Sequence, residues 1–469
     1  MAMGNPAPRD SVGSATAPVL PGGLPWLGVL PALRRDSLAV FGRARALGEV
    51  VRIPVPRFGL YLLSAPAQVR HVLQDNAGNY RRTAFHDRLK PLLGEGLVTS
   101  DGGLWQRQRR LLQPAFRAER IRGFVAIMAD GAAALARNWE ETAGTGTVVD
   151  IAEAMSELAL GIAIRCMFGG DMFGAGPAAR GIAIGDAVRE AQARISARFW
   201  SVAPAWTERL PTPANRRFRR AIALLDGIVA GIIEARLAAG DAGNDLLGML
   251  LAAQGEDGQG VDARQVRDEV MTMLLAGHET SAGTLGWAWH LLAGDEAVAQ
   301  AIGVEVAGVL GGRTLPEAED IARLELTRAV VQETLRLYPA APWFPRLAAR
   351  ADRIGGVPIP AGSIVVVSPY HAQRDPAAWP DPDRFDPSRF GPGARPAPYT
   401  WYPFGGGPRT CIGTHFAMTE MVAALAVLVP RFRLRQAGTT PVRPELMVTL
   451  KPAGGLPMRV ERRPGAPHG

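Results

Sequence analysis

Residues 262–292 carry the longest helical pattern in the chain, and their side chains restrict where such a helix can lie. Asp262 and Gln265 make a capping-box-like start, the run VMTMLLAGHETSAGTLGWAWHLL follows, and Gly294-Asp295 ends it. About 30 residues at roughly 1.5 Å each reach roughly 45 Å, the width of a whole domain. The run is apolar on most sides, which places it at the centre of a helical protein. A membrane span is excluded by His278, Glu279 and Thr280 in its middle. Gly277 sits beside these polar groups in a helix interior, where glycine costs about 1 kcal/mol relative to alanine, so the helix is expected to distort there.

Further apolar positions at helical spacing fall at 104–117, 121–138, 151–168, 216–238 and 320–337. Strand-like runs are few: VVRIPV with LYLLS, IVVVS at 364–368, and MVTLK with PMRVER near the end. The expected fold is mainly α with small β-sheets in a single domain over 21–461, flanked by flexible tails at 1–20 and 462–469. The first 24 residues carry neither a signal peptide nor an anchor, and a cytoplasmic location is expected. No GxGxxG follows a strand, so no attached flavin or nicotinamide module is expected.

The formal charge is +8, but only Lys90 and Lys451 are lysines. The basic clusters RQRR at 107–110 and RRFRR at 216–220 lack interleaved aromatics at a repeated spacing, so a nucleic-acid partner is not expected.

Two cysteines cannot build a zinc cluster or a disulfide framework. Cys166, in GIAIRCMF, reads as an inert small hydrophobe. Cys411 lies in FGGGPRTCIG, behind three glycines and Pro408, with a helix expected from near Ile412. Glycines let a backbone approach something flat and bulky, and helix-start amides favour thiolate over thiol. Two chemistries stay open: a nucleophile with His415 as base, or a metal ligand.

Phe404 to Gly413 closely resembles the haem-binding loop of the cytochrome P-450 family. Glu333-Thr334-Leu335-Arg336 resembles its E-x-x-R motif, Ala276 to Ser281 its oxygen-activation motif, and Trp105 with Arg109 its W-x-x-x-R; the similarity spans roughly residues 21–460. The resemblance implies a fold that holds haem b between the long central helix and the Cys411 loop, with Cys411 as iron ligand and Phe404 and Gly405 in the cofactor loop. It assigns Trp105, Arg109, Arg346 and Arg409 to the haem propionates, and Glu333, Arg336 and Arg389 to a structural network. Glu279 and Thr280 would deliver protons during dioxygen activation. By the same analogy Phe85, Met273, Ala276, Trp343 and Phe344 line the substrate pocket.

The activity implied is a monooxygenase that hydroxylates or epoxidises a hydrophobic molecule such as a terpene or fatty acid. A ferredoxin or flavodoxin with its NAD(P)H reductase would supply two electrons, docking near Arg107, Arg110 and Arg117. The alternative is a haem-binding sensor or carrier without turnover, which would need no proton-delivering pair. The resemblance assigns no role to His86 or His415.

Overall fold

The computed structural model describes residues 16–169, 177–201, 205–240, 245–252 and 261–465; the side chains of 177–183 and 205 lie outside that description. The central helix runs Ala263–Gly294, and its N-cap Asp262 accepts from the Gln265 amide at 2.7 Å. It packs against the helices Ile151–Phe168, Pro213–Ala239, Glu325–Leu337 and Thr414–Leu428, which explains why most of its faces are apolar. The expected distortion at Gly277 is absent, and the segment stays α-helical throughout. Gly277 answers a packing demand instead, since a Cβ there would stand 3.0 Å from Met167 Cε on the neighbouring helix.

The helix expected over 104–117 is Gly102–Leu112 followed by a 3₁₀ turn at Gln113–Phe116, where Pro114 cannot continue the α ladder. Several helices lacked a sequence expectation, the longest of them Pro177–Phe199 and Glu296–Leu310. A five-stranded sheet is ordered Val50–Ile53, Leu60–Leu63, Ile364–Val367, Phe344–Ala348, Tyr80–Arg81. Leu60–Leu63 and Ile364–Val367 run parallel, and the other neighbours are antiparallel. That register sets Arg346 opposite Val365 and delivers it to the centre of the molecule.

Both expected tails need shortening. Residues 1–15 and 466–469 lie outside the described residues. Leu20 is nevertheless buried and donates to Arg52 O at 2.9 Å, while the Arg52 amide returns a bond to Pro18 O. At the other end Arg462 closes a strand, and Arg463 bonds Val429 O, Phe432 O and Glu296.

Glu333 and Arg336 are fully buried and form a bidentate pair at 2.6 and 2.8 Å. Arg336 also donates to the carbonyls of Gln373, Pro382 and Arg384, and Glu333 accepts from the Asp386 amide at 2.9 Å. Arg389 Nε lies 3.5 Å from Glu333 Oε1 at the margin of this network. The pair thus pins the long segment that leads to the Cys411 loop. Removing one partner leaves a buried charge alone, so Arg336→Ala should lose about 3–5 kcal/mol, and Arg389→Ala much less. Urea midpoints followed by circular dichroism test this, and equal midpoints for Arg336→Ala and wild type would contradict it.

Candidate functional site

Cys411 lines a cavity of about 270 Å³ between its loop and the central helix. The loop holds its shape through local bonds: Cys411 N donates to Phe404 O at 2.9 Å, and Thr410 Oγ1 to Gly407 O at 2.8 Å. The three glycines turn out to serve different neighbours. Gly405 faces the cavity, but a Cβ on Gly406 would strike the Tyr399 ring at 2.5 Å, and one on Gly407 would sit 1.8 Å from Leu73 O. Two of the three therefore fit the loop to the protein, not to a ligand.

The helix after the cysteine begins at Thr414 rather than near Ile412. Cys411 is exposed toward the cavity. The protein packed around it raises the thiol pKa above its ordinary value, against the Gly413 amide, the Thr414 hydroxyl and Arg109, which favour thiolate and are in place for a sulfur anion. Cys166 is buried, and that burial pushes its thiol well above its ordinary pKa. His415 is exposed and makes no hydrogen bond to Cys411, so the nucleophile–base alternative loses its base.

Arg82, Arg109, Arg346 and Arg409 line one edge of this cavity, and no carboxylate is found among its described lining residues. Just behind them Asp101 pairs with Arg409 and accepts from the Arg82 backbone amide at 2.9 Å. Arg409 also lies over the Trp105 ring at 4.2 Å. Arg346 donates to Pro345 O at 2.9 Å, and burial with Arg409 nearby lowers its pKa to about 10. Burial, Arg346 and Arg409 push Arg82 well below the usual arginine range. Its Nε is buried without a partner.

Arg82 was not expected from the sequence, where it stands next to Arg81 with nothing to show which of the two turns inward. Its neighbour His86 meets it at 3.0 Å and accepts from the Thr83 amide at 3.1 Å, capping a short helix. Burial and then Arg82 lower the His86 pKa well below its ordinary value, keeping the ring neutral.

Across the cavity the central helix presents Met273, Ala276, Gly277 and Thr280. The Thr280 hydroxyl donates to Ala276 O at 2.7 Å. Glu279, one residue earlier, turns into a separate polar cavity that also holds Glu153, Arg189, Glu445 and Lys451. There it pairs with Lys451, which also donates to Gln192 at 3.0 Å. The structure therefore does not bring the expected proton-delivering pair to one cavity. Lys451 was missed as a site residue, although one of two lysines in an arginine-based chain was a compositional signal.

Phe344, Met273 and Ala276 line the cavity as expected. Phe85 and Trp343 do not; their rings meet at 5.5 Å in an aromatic cluster with Phe41, Phe199 and Trp200. Large rings find more contact area in such a cluster than on a cavity wall.

An apolar slot with a sulfur donor at its base, four guanidiniums at one edge and an orphaned Arg82 Nε suits a flat, hydrophobic group that carries a metal and peripheral carboxylates. The comparisons with known proteins agree. The family profile described as Cytochrome P450 matches residues 18–457. Cyclooctatin synthase of Streptomyces melanosporofaciens is 36% identical over 457 residues, 95% of each chain. Pentalenene oxygenase of Streptomyces avermitilis is 32% identical over 94% of this chain and 97% of its own. The crystal structure of the cytochrome P450DA heme domain superposes with a TM-score of 0.84 at 28% identity, covering 96% of this chain and 98% of that one.

The chain belongs to the cytochrome P450 family, a class of oxidoreductases that use haem iron and dioxygen, take electrons from redox partners and bind hydrophobic substrates. Among the described residues no helix is long and apolar enough to cross a membrane.

Each charge-assisted bond to a propionate is worth about 1.5–3 kcal/mol. Arg82→Ala/Arg409→Ala should consequently purify largely without haem. Cys411→Ser should lose the reduced-carbonyl band of a thiolate-ligated haem, and Cys166→Ser should keep it. Full haem occupancy in the double variant, or the same spectrum for both cysteine variants, would contradict these assignments.

Proposed function

We propose that this protein is a haem b-dependent monooxygenase that hydroxylates or epoxidises a neutral cyclic terpene. The observation that carries the reading is Thr280, set on the helix across an apolar cavity from Cys411. Cys411 would hold the iron, and Arg82, Arg109, Arg346 and Arg409 with Trp105 would hold the propionates. When bound, the haem supplies the iron at which dioxygen is reduced and split with two electrons.

The remaining chemistry belongs to the chain. Leu97, Val98, Met273, Ala276, Leu335 and Phe344 give a hydrocarbon an apolar wall and exclude water. A fatty acid would need a cation for its carboxylate away from the propionate edge, and the described lining residues offer none. The names of two relatives, a cyclooctatin synthase and a pentalenene oxygenase, point the same way.

The Thr280 hydroxyl can accept from a water while it donates to Ala276 O, and it can turn to pass a proton into the cavity. Glu279 would take protons from the polar cavity on its own side, and its pairing with Lys451 must loosen before its carboxyl can serve Thr280. Electrons would arrive from an acidic ferredoxin or flavodoxin matched to the exposed Arg107, Arg110 and Arg117. A cytoplasmic setting suits such carriers.

Turnover of pentalenene with a ferredoxin and its reductase tests the proposal. Thr280→Ala should keep haem content and substrate affinity while product per NADPH falls severalfold and hydrogen peroxide rises. An unchanged ratio would exclude Thr280 from proton delivery, and turnover supported by neither ferredoxin nor flavodoxin would exclude the proposed partner.

A further inference from the structure

The wall segment Gly94–Ser100 carries Leu97 and Val98 into the cavity, and it is held there by two acids on the first turns of the central helix. Asp268 Oδ2 accepts from the Glu95 amide at 2.8 Å, and Glu269 Oε2 accepts from the Leu97 amide at 3.1 Å. Gln265 donates to Glu269 Oε1 at 3.0 Å and reaches Glu95 O at 3.4 Å. Both carboxylates are buried, at 3% and 1% exposure, so these bonds are formed away from water.

The fit leaves no slack. A Cβ on Gly94, whose φ is +56°, would fall 2.0 Å from the Asp268 carboxyl, and one on Gly96 would fall 2.1 Å from Thr272 Oγ1. From the other side Gln108, on the Trp105 helix, donates to Glu95 O at 2.6 Å and accepts from the Ser100 hydroxyl.

We propose that Asp268 and Glu269 are positioning residues for the substrate: through the amides of Glu95 and Leu97 they set where Leu97 and Val98 stand, and so which molecular shapes the cavity admits. The proposal rests on this cavity being the substrate site. It also makes the wall sensitive to pH. The charged groups around Glu269 are Asp268 on the same helix, Arg267, which bridges Asp268 to Asp226 of the Pro213–Ala239 helix, and Glu95 of the wall, whose carboxylate is paired with Lys90 at 2.9 Å.

Burial raises the Glu269 carboxyl to about 7, the Leu97 and Gln265 donors oppose that rise, and Asp268 adds to it. When the wall lifts, Glu269 regains water and its pKa returns toward roughly 4.3. The closed wall therefore binds the proton more tightly. Its extra stability is present below the open-state pKa and is lost as pH rises through about 7.

The test uses the haem-loaded enzyme and needs no substrate. Amide-exchange protection of Glu95 and Leu97, and the affinities of imidazole and the bulky clotrimazole read from the Soret band, are measured between pH 6 and 8. Glu269→Ala should cut protection at Leu97 by about tenfold, the loss of one buried hydrogen bond, and shift preference toward clotrimazole. In the wild type protection should decline as pH rises through 7. Glu269→Gln keeps the volume and mimics the protonated acid, so it should keep high protection throughout and flatten that profile.

Wild-type protection and azole preference in Glu269→Ala, or a wild-type pH profile in Glu269→Gln, would overturn the proposal. The glutamine variant decides the question if the alanine variant does not accumulate. Failure of the wild type to bind haem would overturn the functional reading, and loop protection would still report on the two acids.

Discussion

Four guanidiniums line the edge of the cavity, where Asp101 bears on three of them, Arg82, Arg346 and Arg409, and much of the surrounding architecture is arranged to hold them there. They come from four separate places: beside the strand Tyr80–Arg81, on the helix Gly102–Leu112, on the strand Phe344–Ala348 and in the Cys411 loop. Like charges gathered away from bulk water oppose folding, and the lowered pKa of Arg346, caused by burial and by Arg409, expresses that cost. Asp101 and the Trp105 ring relieve Arg409, and Asp101 also favours the charge of Arg82, whose Nε still lacks a partner. A dianionic cofactor would neutralise the cluster, so the same charge imbalance that weakens the empty fold would give the loaded one its affinity.

The central helix can serve this site because it is unbroken. Successive residues on an α-helix point about 100° apart, so neighbours in sequence face different compartments. Thr280 faces the cavity above Cys411, Glu279 a polar cavity with Lys451, and Asp268 and Glu269 the wall segment Gly94–Ser100. One rigid rod thereby keeps the two cavities and the wall in a fixed relation. Motion of the wall and opening of the Glu279–Lys451 pair are then local events that leave the scaffold in place.

What could be read from the sequence was what lies within one element. The long helix, the Glu333–Arg336 spacing and the cysteine loop each carry their reason within about thirty residues, and each is present in the fold. What escaped depended on residues distant in the chain. Gly406 and Gly407 suggested room for a ligand, yet Tyr399 and Leu73 fill that room. Glu279 suggested a partner for Thr280, but its charge is drawn to Lys451, far along the chain on the opposite side of the helix. Phe85 and Trp343 suggested pocket walls and instead found other aromatic rings. An expected kink at Gly277 gave way to packing against Met167. In each case the residue type was informative, and the identity of its neighbour was not.

The account depends most on the claim that the arginine cluster recognises a dianion. Binding of haem and of haem dimethyl ester to the apoprotein isolates that claim, because the esters keep the ring, the iron and nearly the whole shape while removing both negative charges. Losing even two charge-assisted contacts at about 1.5–3 kcal/mol each weakens binding by roughly a hundredfold or more, and that is the difference expected between the two ligands. Equal affinities would contradict the account, leaving Cys411 and the apolar slot to hold the cofactor without help from the four arginines.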